Sequence, residues 1–293
     1  SETPQAMAAL CDHVSEWTTT REMRVGISKC GLLEVVPEGT ASVLTEATER
    51  AVTLQGMQVP RVKEYAYLGM TITEDLDRDA MVESRFKVGR ATVYGLSPFL
   101  RCRAIPMAMR LKIVSGVVLP RLLYGAEIYG MCRTLTDKMQ VHLNCALRMT
   151  LNLAPGTRCG SVGLWQETGI APICALAASR RARAYVKCRS LKTWVSTFAK
   201  HPFTSRKWTW TSGTTRWLNR YRTLEGDDGA SWAGWETWDS KALKSRVESC
   251  ILGREIDIRS RRTGTRGART RWYMRGQFHR APYRQLTRGV NGV

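Results

Sequence analysis

Residues 105–130 read IPMAMRLKIVSGVVLPRLLYGAEIYG, and this run decides the fold. Pro106 sits where a first helical turn tolerates a missing N–H. Met107, Leu111, Val114 and Val118 follow at i, i+4, i+7 and i+11, the spacing of one apolar helix face. Downstream, Thr136 with Met139, Leu143, Ala146 and Thr150 repeats the pattern. Residues 171–194 form another predicted helix, carrying Arg180, Arg181, Arg183, Lys187, Arg189 and Lys192. Upstream, Asp77 is a candidate N-cap before Val82, Phe86, Gly89 and Val93. The middle of the chain is therefore expected to be a basic helical bundle.

Towards the N-terminus the period changes. Thr3 and Pro4 form an N-cap and first-turn pair, and Met7, Leu10, Cys11, Val14 and Trp17 recur at helical spacing, which predicts a helix over 4–20. Met23, Val25 and Ile27 then alternate with Arg24, Gly26 and Ser28, the pattern of a half-buried strand, with Leu32–Val36 as its continuation or partner. Residues 53–60 and 62–73 predict a further extended pair, with Gly56 in a turn. The fold class expected is α+β: a small helix-and-strand unit, then a mostly helical bundle. Beyond residue 195 the periodicity fades, although seven of the ten tryptophans fall between 194 and 238, and some of these must be buried for the segment to be ordered.

Charge separates the same regions. The chain of 293 residues carries 45 Lys+Arg against 25 Asp+Glu, a net charge of +20, which favours a polyanionic partner. Residues 1–80 hold 7 basic and 13 acidic side chains, residues 81–240 hold 24 and 9, and residues 241–293 hold 14 and 3. No acidic residue follows Asp257, whereas Arg259, Arg261, Arg262, Arg266, Arg269 and Arg271 open an arginine-rich arm expected to order only on a partner. Arginine suits bidentate phosphate contacts and stacking on bases.

Several classes of chemistry lack their residues. Nine cysteines include no C-x-x-C pair and no histidine at finger spacing, which argues against a zinc site. Their odd number, with no leader-type segment, fits reduced thiols and a nuclear or cytoplasmic location. No apolar run approaches the ~18 residues of a membrane span, so no membrane partner is expected. His13, His142, His201 and His279 are dispersed without triad spacing, and no glycine-rich nucleotide cradle is visible. Asp227 and Asp228 form a Gly-Asp-Asp triplet, but Arg220, Tyr221, Arg222, Gly229, Ala230 and Ser231 flank it, a polar setting unlike the rigid apolar strands that hold metal-binding carboxylates.

Three strings, taken in order, resemble a known family: residues 1–31 ending in GISKCG, residues 62–72 (VKEYAYLGMTI), and residues 120–130 (PRLLYGAEIYG). Together with SVGLWQETGIAPI (161–173) and RRARAYVKCR (180–189), they resemble the second half of a non-LTR, LINE-like retrotransposon reverse transcriptase over roughly residues 1–195. The resemblance implies the end of a palm over 1–75, a thumb over 76–195, a tryptophan-rich extension over 196–258 and the arm over 259–293. It implies that Lys29 lies close to an incoming nucleotide. From the residues alone, Lys29 shares the face of Val25 and Ile27 and is equally a lysine that snorkels to water.

By the same resemblance Tyr67, Leu68 and Gly69 form a primer-grip-like hairpin, and Tyr124, Gly125, Glu127 and Tyr129 are packing residues. Tyr129 stands where the family usually has tryptophan, and Glu127 is a candidate partner for a nearby arginine. Partners implied are an RNA template, a DNA primer and an upstream palm-and-fingers segment bearing the Tyr-x-Asp-Asp turn. No cofactor is expected on this segment itself, and Mg²⁺ is expected for the complete enzyme. Nucleic-acid contacts are expected from Arg180, Arg181, Arg183, Lys187, Arg189 and the arm. The expectation is a fragment of an RNA-directed DNA polymerase that does not polymerise alone; the alternative is a domesticated, non-catalytic RNA-binding scaffold.

Overall fold

A computed structural model describes residues 3–36, 41, 42, 44–154, 159–201, 209–222 and 234–263. The helices are α1 (Pro4–Thr20), α2 (Glu46–Arg50), α3 (Arg78–Gly95), α4 (Ser97–Arg101), α5 (Met107–Ile113), α6 (Leu119–Leu122), α7 (Ala126–Tyr129), α8 (Arg133–Thr150), α9 (Ser161–Thr168), α10 (Ile173–Ser190), α11 (Trp194–Lys200), α12 (Trp210–Arg222) and α13 (Ser240–Thr263). Strands β1 (Thr53–Leu54) and β2 (Met57–Gln58) pair antiparallel, as do β3 (Glu64–Tyr67) and β4 (Met70–Thr73). The class is α+β, as the periodicities predict. The chain divides into two compact units, Ser1–Ser84 and Arg85–Val293.

In the first unit α1 begins where its cap predicts, with the Thr3 hydroxyl accepting from the Ala6 N–H at 3.2 Å. Its apolar residues divide between two faces. Met7 and Cys11 pack on a small core of Leu32, Val52 and Val59, whereas Leu10, Val14 and Trp17 are exposed. The helix is thus amphipathic through its inner face only.

The strands expected at 23–27 and 32–36 do not form. Residues 23–26 are irregular, Ile27–Lys29 is a 3-10 turn, and Leu32 makes a single parallel bridge with Arg61. The reason is Gln55. Its side-chain oxygen accepts from the Val25 N–H at 3.1 Å, and its amide donates to the Met23 carbonyl at 2.7 Å and the Thr18 hydroxyl at 3.1 Å. A side chain therefore takes the backbone groups that a strand partner would otherwise pair. Gln55→Ala is expected to destabilise this unit by about 2 kcal/mol, since a buried or half-buried polar group left unpaired costs ~1–3 kcal/mol. Hydrogen exchange at the Val25 amide reads the loss directly, and unchanged protection there would refute the clamp.

The predicted extended pair resolves into two tight hairpins. Their central residues, Gln55–Gly56 and Leu68–Gly69, have φ of 50° and 77° and of 48° and 74°, the signature of type I′ turns. Gly69 is therefore required for left-handed backbone. Leu68 adopts the same region at a cost of ~1–2 kcal/mol while 71% exposed.

In the second unit the 105–130 run forms one continuous path, α5, a π-helical turn over Val114–Val118, and α6. Pro120 explains the widened turn: its ring would meet the carbonyl of Gly116 in a regular helix, and the π turn relieves that clash. Helix α8 buries all five residues of its predicted face, Thr136, Met139, Leu143, Ala146 and Thr150.

Helix α10 runs through the middle, packing on α7, α8, α11, α12 and α13. Ala175, Ala178 and Ala182 are small enough to let α13 approach closely. Leu218, Trp235, Leu243, Val247 and Ile251 complete that core with Tyr185, whose ring stacks on Trp235 at 5.9 Å. Residues 210–222 and 240–263, where periodicity was expected to fade, are thus helical and share a core with α10. The cap of α13 was available in the sequence: the Asp239 carboxylate accepts from the N–H groups of Lys241 and Ala242 at 2.6 and 3.1 Å.

Two buried polar groups tune this unit. Glu255, at 1% exposure, is held by a bidentate pair from Arg133 and by Arg259 at 3.4 Å, which ties α13 to α8. His142 is buried beside Phe86, ring centroids 4.4 Å apart, and its Nε2 has no hydrogen-bond partner. Burial, aided by Arg90, holds the imidazole below its ordinary pKa of 6.5.

The unfolded chain therefore takes up this proton at a higher pH than the folded one. Stability is full above the ordinary value and is lost as pH falls through it. Thermal melts between about pH 7.5 and 5 are expected to show that loss, and His142→Phe to flatten it. An unchanged slope in the variant would move the effect to other groups.

Candidate nucleic-acid interface

Helical spacing places Arg180, Arg183 and Lys187 at i, i+3 and i+7 of α10, on one face. The start of α13 rises opposite them. Between the two helices lies a groove of about 530 Å³, lined by those three cations together with Glu127, Val186, Trp238 and Leu243. Arg180 is positioned by donating to the Leu123 carbonyl at 3.0 Å. The Nε of Arg183 is buried with no hydrogen-bond partner, an arrangement that costs free energy. Trp238 packs one side against the α10–α13 core. Three cations facing one carboxylate leave the groove net positive, and its aromatic and aliphatic wall suits a flat ligand carrying negative charge.

Two arginines of the expected set belong elsewhere. Arg181, only 4% exposed, donates to the Thr214 hydroxyl at 2.9 Å, the Ile128 carbonyl at 3.1 Å and the Trp210 carbonyl at 2.9 Å. It is a structural staple, and its expected place on the interface is corrected: every face of its guanidinium is occupied by protein. Arg189 donates to the Tyr185 hydroxyl at 3.1 Å, with its guanidinium 5.5 Å from that ring's centroid. Arg261 and Arg262 lie at the end of α13 with side chains outside the description. Arg266, Arg269 and Arg271 lie outside the described residues, as do Asp227 and Asp228.

In the first unit the structure brings together the lysine segment and the hairpin. Lys29 is exposed on its 3-10 turn rather than on a strand face, and its carbonyl accepts from the Tyr65 hydroxyl at 2.5 Å. A Cβ on Gly31 would come within 2.9 Å of Val62, so the two segments touch. Tyr67, Leu68 and Gly69 form the exposed tip of β3–β4.

The YGAEIY residues are divided in their roles. Tyr129 is fully buried and donates to the Leu122 carbonyl at 2.7 Å. Tyr124 is exposed under the guanidinium of Arg85 at 4.8 Å. The side chain of Glu127 lines the cationic groove, and its carbonyl accepts from the Trp210 indole at 2.9 Å. The groove's aromatic wall, Trp238, was missed as a site residue; its only sequence signal was membership of the tryptophan cluster.

Among the described residues, no three His, Cys, Asp or Glu side chains gather as a metal site. All nine cysteines are free thiols, and burial pushes that of Cys174 up to about 12, an inert group at neutral pH. No described helix is long and apolar enough to cross a membrane. Compared with known protein families, curated proteins and solved structures, the chain matches none.

Proposed function

We propose that this chain is the nucleic-acid-holding part of a retroelement-type RNA-directed DNA polymerase, gripping RNA template and DNA primer while the metal-binding carboxylates are supplied by another segment. The convergence of Arg180, Arg183 and Lys187 on one groove of a strongly basic bundle supports this reading. The contact between the Lys29 segment and the Tyr67–Gly69 hairpin is consistent with a shared role near the primer end. A second reading is a non-catalytic RNA-binding scaffold, which would use the same cationic groove.

Both readings require phosphate contacts, so affinity for an RNA–DNA hybrid carrying a single-stranded template overhang should fall steeply with salt. Replacing Arg180, Arg183 and Lys187 together by glutamine should reduce the logarithmic salt slope by about 1 per side chain lost. Salt-insensitive binding would exclude both. Primer extension separates them: the polymerase reading expects extension when a segment carrying the catalytic aspartates is joined to this chain, and slower nucleotide addition with Lys29→Ala.

A further inference from the structure

Resting on the nucleic-acid reading above, we infer that the α10–α13 groove takes a single unpaired nucleotide, its phosphate on Arg183 and Lys187 and its base against Trp238, and that Glu127 selects bases carrying an exocyclic amine. Four features of the groove point to this occupant. Its volume of about 530 Å³ lies in the range of sites that take one small ligand. The apolar part of its lining is aromatic at Trp238 and aliphatic at Val186 and Leu243, a surface that stacks a base and that a phosphate backbone alone has no use for.

Arg183 lines the groove, and a phosphate oxygen is the acceptor that a guanidinium takes best. The fourth feature is Glu127. A carboxylate among three cations weakens any site built for phosphate only, but it is the side chain that accepts from an amino group on a base edge, as in recognition of the cytosine N4 amine. Uracil carries a carbonyl oxygen, O4, where cytosine carries that amine, so the carboxylate repels that position. The groove is thus a single-strand site with a built-in preference for cytosine over uracil.

The test uses the full chain and three labelled probes: oligocytidylate, oligouridylate and a blunt RNA–DNA hybrid of equal length, followed by fluorescence anisotropy. Oligocytidylate is expected to bind at least about fivefold more tightly than oligouridylate. Trp238→Leu is expected to lower the ratio of oligocytidylate to hybrid affinity by about tenfold, the worth of one stacked base. Glu127→Gln should bring the two single strands to within about twofold of each other.

Lys187→Gln, at an exposed position, should weaken both single strands together and serves if the tryptophan variant fails to fold. Equal affinity for the two single strands in the parent chain, or oligocytidylate binding unmoved by Lys187→Gln and Glu127→Gln, would overturn the inference and leave salt-dependent hybrid binding standing. Loss of salt-dependent binding to all three probes would overturn the proposed function with it.

Discussion

Gly130→Ala is expected to destabilise the helical unit by about 3 kcal/mol or more, a large part of the ~5–15 kcal/mol that holds a typical domain together. The backbone at Gly130 has φ −58° and ψ −15°, which any residue adopts, so conformation does not require glycine. Space does. An added Cβ would lie 2.2 Å from the Ala177 carbonyl oxygen and 2.7 Å from its carbon, in the middle of α10. These are main-chain atoms of a helix packed on several sides, and no rotamer change moves them. Relief needs α7 and α10 to part, which opens the core around Tyr129.

Gly116→Ala is the matched control. Its Cβ would meet nothing within 4 Å, and alanine is the better helix former by roughly 1 kcal/mol. Urea titration of both variants, followed by tryptophan fluorescence, gives the comparison. A shift for Gly130→Ala below about 1 kcal/mol would mean that the helices do not cross at this glycine.

Arg181→Met should cost about 3 kcal/mol, with no change in the salt slope of nucleic-acid binding by the folded fraction. The substitution keeps most of the side chain's length and apolar stem but removes all three donors. The Ile128 carbonyl loses its partner in a half-buried setting, and the ties from α10 to Thr214 and Trp210 on α12 are lost. Each unsatisfied buried group costs ~1–3 kcal/mol. Arg181→Lys is expected to rescue little, because one ammonium cannot span three acceptors fixed by a planar fork. A variant of normal stability whose salt slope falls by about 1 would return Arg181 to the interface and refute the staple.

These variants bear on what was legible beforehand. The helices at 4–20, 78–95, 133–150 and 173–190 follow from apolar spacing and from caps at Thr3 and Asp77, which are short-range physics. Even α13 left a trace: Leu243, Val247 and Ile251 repeat every fourth residue after the Asp239 cap. The fourth member of that series is Glu255, a residue that conceals the stripe because carboxylates are buried only when paired. Its partner Arg133 is 122 residues away. The strand expected at 23–27 failed for the same kind of reason, since Gln55 lies 30 residues downstream of the amide it occupies.

By itself, then, the sequence determined the α+β class, most of the helices, the turn at Gly56 and the segregation of charge between an acidic N-terminal region and a basic remainder. Each depends on neighbours within a turn or two of chain or on simple summation. The tertiary structure decided what the basic residues do. Arg180, Arg181 and Arg183 are near-neighbours of one type, about 100° of helix apart per residue. One is anchored at the groove, one is consumed by α7 and α12, and one lines the groove with a buried nitrogen that has no hydrogen-bond partner. That division depends on which elements pack against each side of α10, and those elements come from distant stretches of the chain whose approach no local pattern encodes.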